Sequence, residues 1–324
     1  MVILLPTLLL VTGLALLGLG ADLLVRGAVT IARGARISTA VIGLTIVATG
    51  TSLPEFTVGV SAALQGAADL VVGTVVGSNI FNIGLVIGLT ALLRPMTVHP
   101  TAVRYEWPFM FVASVLFAVL ARDGRLDRLD GLALVLVLTL FFWFVVHIGR
   151  IAVDRAEHED LAAQVDARAL TDGPTLRWKA LGWIAAGIGL LASGGAALVA
   201  GASDLARALG ISERLIGLTI VAIGTGSPEI ATSIIAIRRG EGAIALGNVI
   251  GSNLLNIAGI LGLAAVIAPT AVHPAILGGD LRWMLALSAL LLPLMWWRST
   301  VSRLEGGLLL GLYGTYLALL VFGA

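Results

Sequence analysis

Long apolar blocks recur along the whole chain, separated by short polar breaks. Each block is long enough to cross about 30 Å of hydrocarbon as a helix, which takes roughly 20 residues. Ten such spans are expected, over approximately 3–24, 38–64, 69–93, 105–121, 129–148, 178–202, 213–237, 242–268, 281–297 and 303–322. Almost nothing is left over for a soluble domain. The first block lacks a basic leader and a small-residue cleavage site, so it reads as a spanning helix and not a signal peptide.

Composition agrees. Of 324 residues, 58% are hydrophobic and 12% charged, with a mean hydropathy of +1.03, too little polar surface to clothe a globule in water. The net charge of +1 gives no reason to expect a nucleic-acid partner. The positions of the basic residues suggest an orientation. With the N-terminus outside, 14 of the 20 fall on the cytoplasmic side, including Arg26, Arg94, Arg150, Lys179, Arg239 and Arg303. Both termini are therefore expected outside a cytoplasmic membrane. The absence of cysteine removes disulfides, thiolate metal sites and thiol redox chemistry.

The chain also repeats itself. Shifted by 174 positions, Gly43–Pro100 aligns without a gap on Gly217–Pro274, with 26 of 58 pairs identical. The matches include Gly50/Gly224, Thr51/Thr225, Pro54/Pro228, Glu55/Glu229, Ser78/Ser252, Asn79/Asn253 and Asn82/Asn256, and the register extends back to Gly20/Gly194 and Gly27/Gly201. Each copy holds five spans, an odd number, so the second must cross the membrane in the opposite sense. The expected fold is an all-α polytopic membrane protein of about ten helices, in two inverted five-helix repeats. Residues 1–149 would form the first repeat, 150–177 a short cytoplasmic linker and 178–324 the second repeat.

Inverted repeats place matched, broken helices around a common centre, where the substrate binds. Gly50-Thr51-Ser52-Leu53-Pro54-Glu55 interrupts an apolar span, and its proline should free backbone oxygen near Gly50. Ala48, Thr51 and Glu55 lie three and four apart, on one helical face. Ser78 and Asn82 are spaced i and i+4 in the next span. The second repeat supplies Ala222, Thr225, Glu229, Ser252 and Asn256. Carboxylate, hydroxyl, amide and carbonyl oxygens without imidazole or thiolate suit hard cations: calcium, sodium or magnesium. A carboxylate at the bilayer centre costs at least about 2.5–3.5 kcal/mol, so two need compensation. One divalent or two monovalent cations would neutralise the pair. Competition of those ions for one site that opens to each side in turn is antiport in its simplest form.

These segments resemble the alpha repeats of the calcium/cation antiporter superfamily, in particular its sodium/calcium exchanger branch. The likeness is carried by Gly43-Leu-Thr-Ile-Val-Ala-Thr-Gly-Thr-Ser-Leu-Pro-Glu55 and Gly77-Ser-Asn-Ile-Phe-Asn82, with their counterparts in the second half. It implies a prokaryotic-type exchanger of Ca2+ for Na+ with no cofactor, acting as a monomer. Calcium would be bound by Glu55, Thr51 and Ala48 with Glu229, Thr225 and Ala222, and sodium by the same glutamates with Ser52, Ser78 and Ser252. The first and sixth spans would move over the remaining bundle. Two departures stand out. Thr225-Gly226-Ser227 replaces the usual Thr-Ser-Leu, so a hydroxyl is missing at Gly226 or has moved to Ser227. Asn256 stands where many relatives have Asp, which leaves two acidic groups and argues against potassium dependence.

Other features read more simply. Gly84 and Gly88, like Gly73 and Gly77, should let helices approach closely. Asp22 and Arg26, at i and i+4, should pair near a membrane edge. His99-Pro100 and His273-Pro274 fall at span ends and should mark helix termini. A proton-coupled or other-cation antiporter of the same fold is the first alternative. A channel, or an intramembrane protease using Ser227 without a histidine in reach, is remote.

Overall fold

A computed structural model describes residues 4–35, 37–65, 68–148, 174–210 and 222–322. Among these, seven helices are long and apolar enough to cross a membrane: α1 (Leu4–Ala35), α4 (Leu70–Leu93), α5 (Ala102–Asp123), α6 (Arg128–Val145), α7 (Arg177–Ala208), α10 (Gly242–Ile267) and α11 (Ile276–Trp296). An eighth span is a bent pair, α2 (Thr39–Thr51) and α3 (Leu53–Leu64). The described part of its counterpart is α8 (Ala222–Thr225) with α9 (Ser227–Arg238), and α12 (Arg303–Phe322) completes the ten. Residues 213–221 of the expected seventh span, and the expected linker up to 173, lie outside the described residues; 174–177 are already helical.

The first helix is longer than the apolar block that announced it. α1 continues from the expected end near residue 24 to Ala35 because nothing stops it: Asp22 pairs with Arg26 at 2.7 Å and also with Arg239. Its polar residues are satisfied from the side of the helix, so they do not end it. The Asp22–Arg26 pair was expected; the tie to Arg239 of the second half was not.

The two halves are inverted. α1 and α7, which carry matched glycines at 13/187, 20/194 and 27/201, pack along their length and run antiparallel. Gly13 faces Gly194 and Leu198, Gly20 faces Gly187, and Gly27 faces Ala180. A Cβ on Gly20 would lie 2.8 Å from the Gly187 carbonyl, so the helices meet backbone to backbone. Two short antiparallel pairings repeat the relationship. Met96–Thr97 (β1) pairs with Thr300–Val301 (β4), and Arg125–Leu126 (β2) with Thr270–Ala271 (β3). Each joins one half to the other.

Helix ends follow the same symmetry. Asp127 Oδ1 accepts from the N–H groups of Asp130 (2.9 Å) and Leu129 (2.8 Å), while Asp127 N–H donates to Asp130 Oδ2 (2.8 Å). These backbone bonds hold the Asp127 carboxyl below the usual carboxylate range. Ser302 and Glu305 form the corresponding reciprocal cap on α12. His99 and His273 do lie at helix starts: their Nδ1 atoms accept from Thr101 N–H (3.4 Å) and Ala275 N–H (3.2 Å). Gly84 and Gly88 pack against Tyr313 and Gly306 of α12 as the close-approach reading requires, whereas a Cβ on Gly77 would meet nothing within 4 Å and one on Gly73 only the Ile276 side chain, so that pair holds no close helix contact.

Candidate functional site

The second span is interrupted two residues before its proline. α2 ends at Thr51, Ser52 leaves the helical region (φ −84°, ψ 3°), and α3 restarts at Leu53 with its axis bent by 52°. Pro54 thus sits in a first turn, where a missing N–H leaves no bond unmade. Gly226 has the same backbone (φ −85°, ψ 3°) between α8 and α9, with Pro228 in the equivalent place. Each break puts a carboxylate, Glu55 or Glu229, in the first turn of a half-helix, where the helix dipole favours negative charge.

The breaks bring the two halves together. Glu55 and Glu229, one from each half, are 4% and 2% exposed. Ser52 Oγ lies 2.9 Å from Ser252 Oγ and 3.4 Å from Glu229 Oε1. A narrow crevice is lined by Glu55, Ser78 and Asn256, with Gly59, Thr74 and apolar side chains of α4 and α10. Among the described residues, Glu55 Oε2, Glu229 Oε2 and Asn256 Oδ1 are buried without a hydrogen-bond partner. Three acceptor oxygens left open in a buried place suit a cation, since each would otherwise be costly to bury.

The remaining candidates are placed as follows. The Ala48 carbonyl accepts from Ser52 N–H (3.0 Å) and the Thr51 hydroxyl (3.3 Å). Asn82 is 2% exposed and opens a wide-turned stretch, Asn82–Ile87, mirrored by Leu255–Leu261 around Asn256; such turns occur often at functional sites. Thr225 is half-buried at the end of α8, and Ala222 begins that helix. The Ser227 hydroxyl donates to the Gly224 carbonyl at 2.6 Å, so it serves its own helix end. At Gly226 an added Cβ would stand 2.2 Å from the Phe81 ring, which occupies the side-chain space there.

Several buried polar residues were not singled out from the sequence. Asn248 is fully buried, its Oδ1 3.0 Å from the Thr51 hydroxyl and its Nδ2 3.5 Å from Ser233 Oγ. Its repeat counterpart is Thr74, so a search for matched pairs passes over it. Asn79 and Asn253 were visible as matched polar residues, but carried no assigned role. Glu106 is 4% exposed in α5, with Oε1 accepting from Thr101 (3.1 Å) and Oε2 unpartnered among the described residues. It stands 174 positions before Asp280, which accepts from the Tyr316 hydroxyl at 3.1 Å. Glu106 lies at the edge of its apolar block, so apolar length alone does not mark it as buried.

An inverted ten-span bundle with buried carboxylates, hydroxyls and amides from both halves at its centre defines a multi-pass membrane transporter of cations. The chain belongs to the sodium/calcium exchanger protein family, whose sequence pattern matches residues 5–147 and 179–322. It is 40% identical over 310 residues to the putative antiporter CaxA of Alkalimonas amylolytica, covering 95% of this chain and 96% of that one. It is 40% identical to the inner membrane protein YrbG of Escherichia coli (98% and 97% covered), and 34% identical to the sodium/calcium exchanger MaX1 of Methanosarcina acetivorans (97% and 98%). The solved structure of the sodium-calcium exchanger NCX_Mj, soaked with zero Na+ and Ca2+, superposes with a TM-score of 0.84 at 31% identity, covering 98% of this chain and 99% of that one. The chain is accordingly an ion antiporter and not an enzyme.

Proposed function

We propose that this protein exchanges Ca2+ for Na+ across the cytoplasmic membrane of a prokaryote, by alternating access of one midplane site formed by Glu55 and Glu229. The observation that carries the reading is the pair of buried carboxylates, one from each half, each with an oxygen that no described residue satisfies. Two charges at close range in a low-dielectric site repel, and a divalent ion or two monovalent ions removes that repulsion. Thr51, Ser52, Ser78, Asn82, Ser252 and Asn256 complete the ligand shell with Thr225 and the backbone carbonyls of Ala48 and Ala222. The same carboxylates serve both ions in turn, so one ion leaves before the other binds. That exclusion couples the fluxes.

The full-length likeness to CaxA, YrbG and MaX1 supports a prokaryotic inner-membrane location, and the excess of basic residues on one set of loops supports termini on the outside. The chain works as a monomer in this reading, since its site is completed by its own two halves.

Flux in reconstituted vesicles tests the proposal. Vesicles loaded with sodium and diluted into sodium-free buffer should take up labelled calcium. Uptake that follows a proton gradient and ignores sodium would select a proton-coupled antiporter. Uptake that needs no counter-ion would select a channel.

A further inference from the structure

Four asparagines at the centre of the bundle form two crossed pairs. Asn256 Nδ2 donates to Asn79 Oδ1 at 3.0 Å, and Asn82 Nδ2 donates to Asn253 Oδ1 at 3.0 Å. All four are at most 2% exposed. Each pair joins one half of the chain to the other, and the pairs exchange under the 174-residue repeat.

We propose that Asn79 and Asn253 are positioning residues that set which end of the Asn256 and Asn82 amides faces the transported ion. The proposal rests on the site described above and adds to it. The two ends of an asparagine amide are almost the same size, so packing cannot choose between them; hydrogen bonds must. The choice matters here. A cation takes an oxygen and is repelled by an NH2 group. Asn256 lines the crevice with Glu55, and its Oδ1 has no partner among the described residues. Its NH2 end is held away by Asn79.

Asn79 is fixed in turn by groups that only accept. Its Nδ2 donates to the Asn253 carbonyl at 3.2 Å and points at the Met284 sulfur at 3.8 Å. Asn253 Nδ2 points at the Met110 sulfur at 3.7 Å. Met110 and Met284 are fully buried and again 174 positions apart. A thioether and a carbonyl have no hydrogen to give, so they turn the NH2 groups of Asn79 and Asn253 toward themselves. The oxygens of Asn79 and Asn253 then face Asn256 and Asn82, take their N–H groups, and turn the outer amide oxygens toward the site. Orientation is relayed from acceptor to amide to amide to ion.

A double-mutant cycle separates this role from simple packing. The Asn256→Asp substitution puts oxygen at both ends of the side chain, which then needs no partner to choose between them. Equilibrium binding of labelled calcium is measured on the purified protein, its Asn79→Leu and Asn256→Asp variants, and the double variant. Asn79→Leu should weaken binding about tenfold when residue 256 is Asn, and less than about twofold in the Asn256→Asp background. The mirror cycle, Asn253→Leu with Asn82→Asp, should behave the same way and is read if Asn79→Leu does not elute as a single folded species. Asn79→Asp, which keeps the acceptor oxygen, should bind calcium at least as tightly as Asn79→Leu does. Equal losses in both backgrounds would overturn the positioning role while leaving the site intact. Unchanged binding in Asn256→Ala would instead overturn the placement of Asn256 at the site.

Discussion

Ser52 and Ser252 meet hydroxyl to hydroxyl at 2.9 Å, one at the break of the second span and the other on α10 of the opposite half. Ser52 also reaches Glu229 Oε1, whereas its repeat counterpart, Gly226, has no side chain to offer Glu55. The two ends of the site are therefore unequal. Ser52→Ala should weaken sodium competition against labelled calcium about tenfold, in line with loss of a hydrogen bond to a charged group. Ser227→Ala, whose hydroxyl is engaged by Gly224, should leave that competition within about twofold.

The asymmetry has a packing cause that can be tested on stability. Gly226→Ser would restore the missing hydroxyl, but its Cβ would meet the Phe81 ring at 2.2 Å. Thermal unfolding in detergent should show a loss of about 1–3 kcal/mol for this overpacked variant. Adding Phe81→Leu, the residue type found at the matching position 255, should recover most of that loss. No recovery would mean that the ring is not what excludes a side chain at 226.

Charge at the site should be indispensable. Glu55→Gln and Glu229→Gln each remove half of its acidic charge, while leaving the helix breaks unaltered. Calcium exchange should fall by at least about a hundredfold in either variant, comparable to unpairing a buried charge. Normal transport in both would remove these residues from the mechanism.

The contact between α1 and α7 leaves no space for a methyl group. Gly20→Ala should lower the unfolding temperature by several degrees, since a small-to-large change in a tight contact costs about 1–3 kcal/mol. Gly18→Ala is the control: a Cβ there meets nothing within 4 Å, and the midpoint should stay where it is.

Much of this architecture was legible before any coordinates. Apolar length announced the spans, and the odd number of spans per repeat required the inversion that α1 and α7 display. The matched Pro-Glu pairs located the helix breaks to within two residues. What the repeat could not announce is what departs from it. Asn248 touches Thr51, yet its counterpart is Thr74. Phe81 fills the space beside Gly226, and only three-dimensional packing brings them together. The extent of α1 is not legible because Asp22 and Arg26 look like a boundary in sequence, whereas Arg239, distant along the chain, satisfies Asp22 without ending the helix. Asn79 and Asn253 were visible, but a hydrogen-bonding direction is not a property of sequence.

The claim on which the rest depends is that calcium and sodium share one site between Glu55 and Glu229. Titrating labelled calcium onto the purified protein at a series of sodium concentrations addresses it directly. One calcium should bind per chain, and sodium should raise the apparent Kd for calcium without limit while leaving the bound stoichiometry at saturation unchanged. A calcium population that sodium cannot displace, or that persists in the Glu55→Gln, Glu229→Gln double variant, would contradict a single shared site.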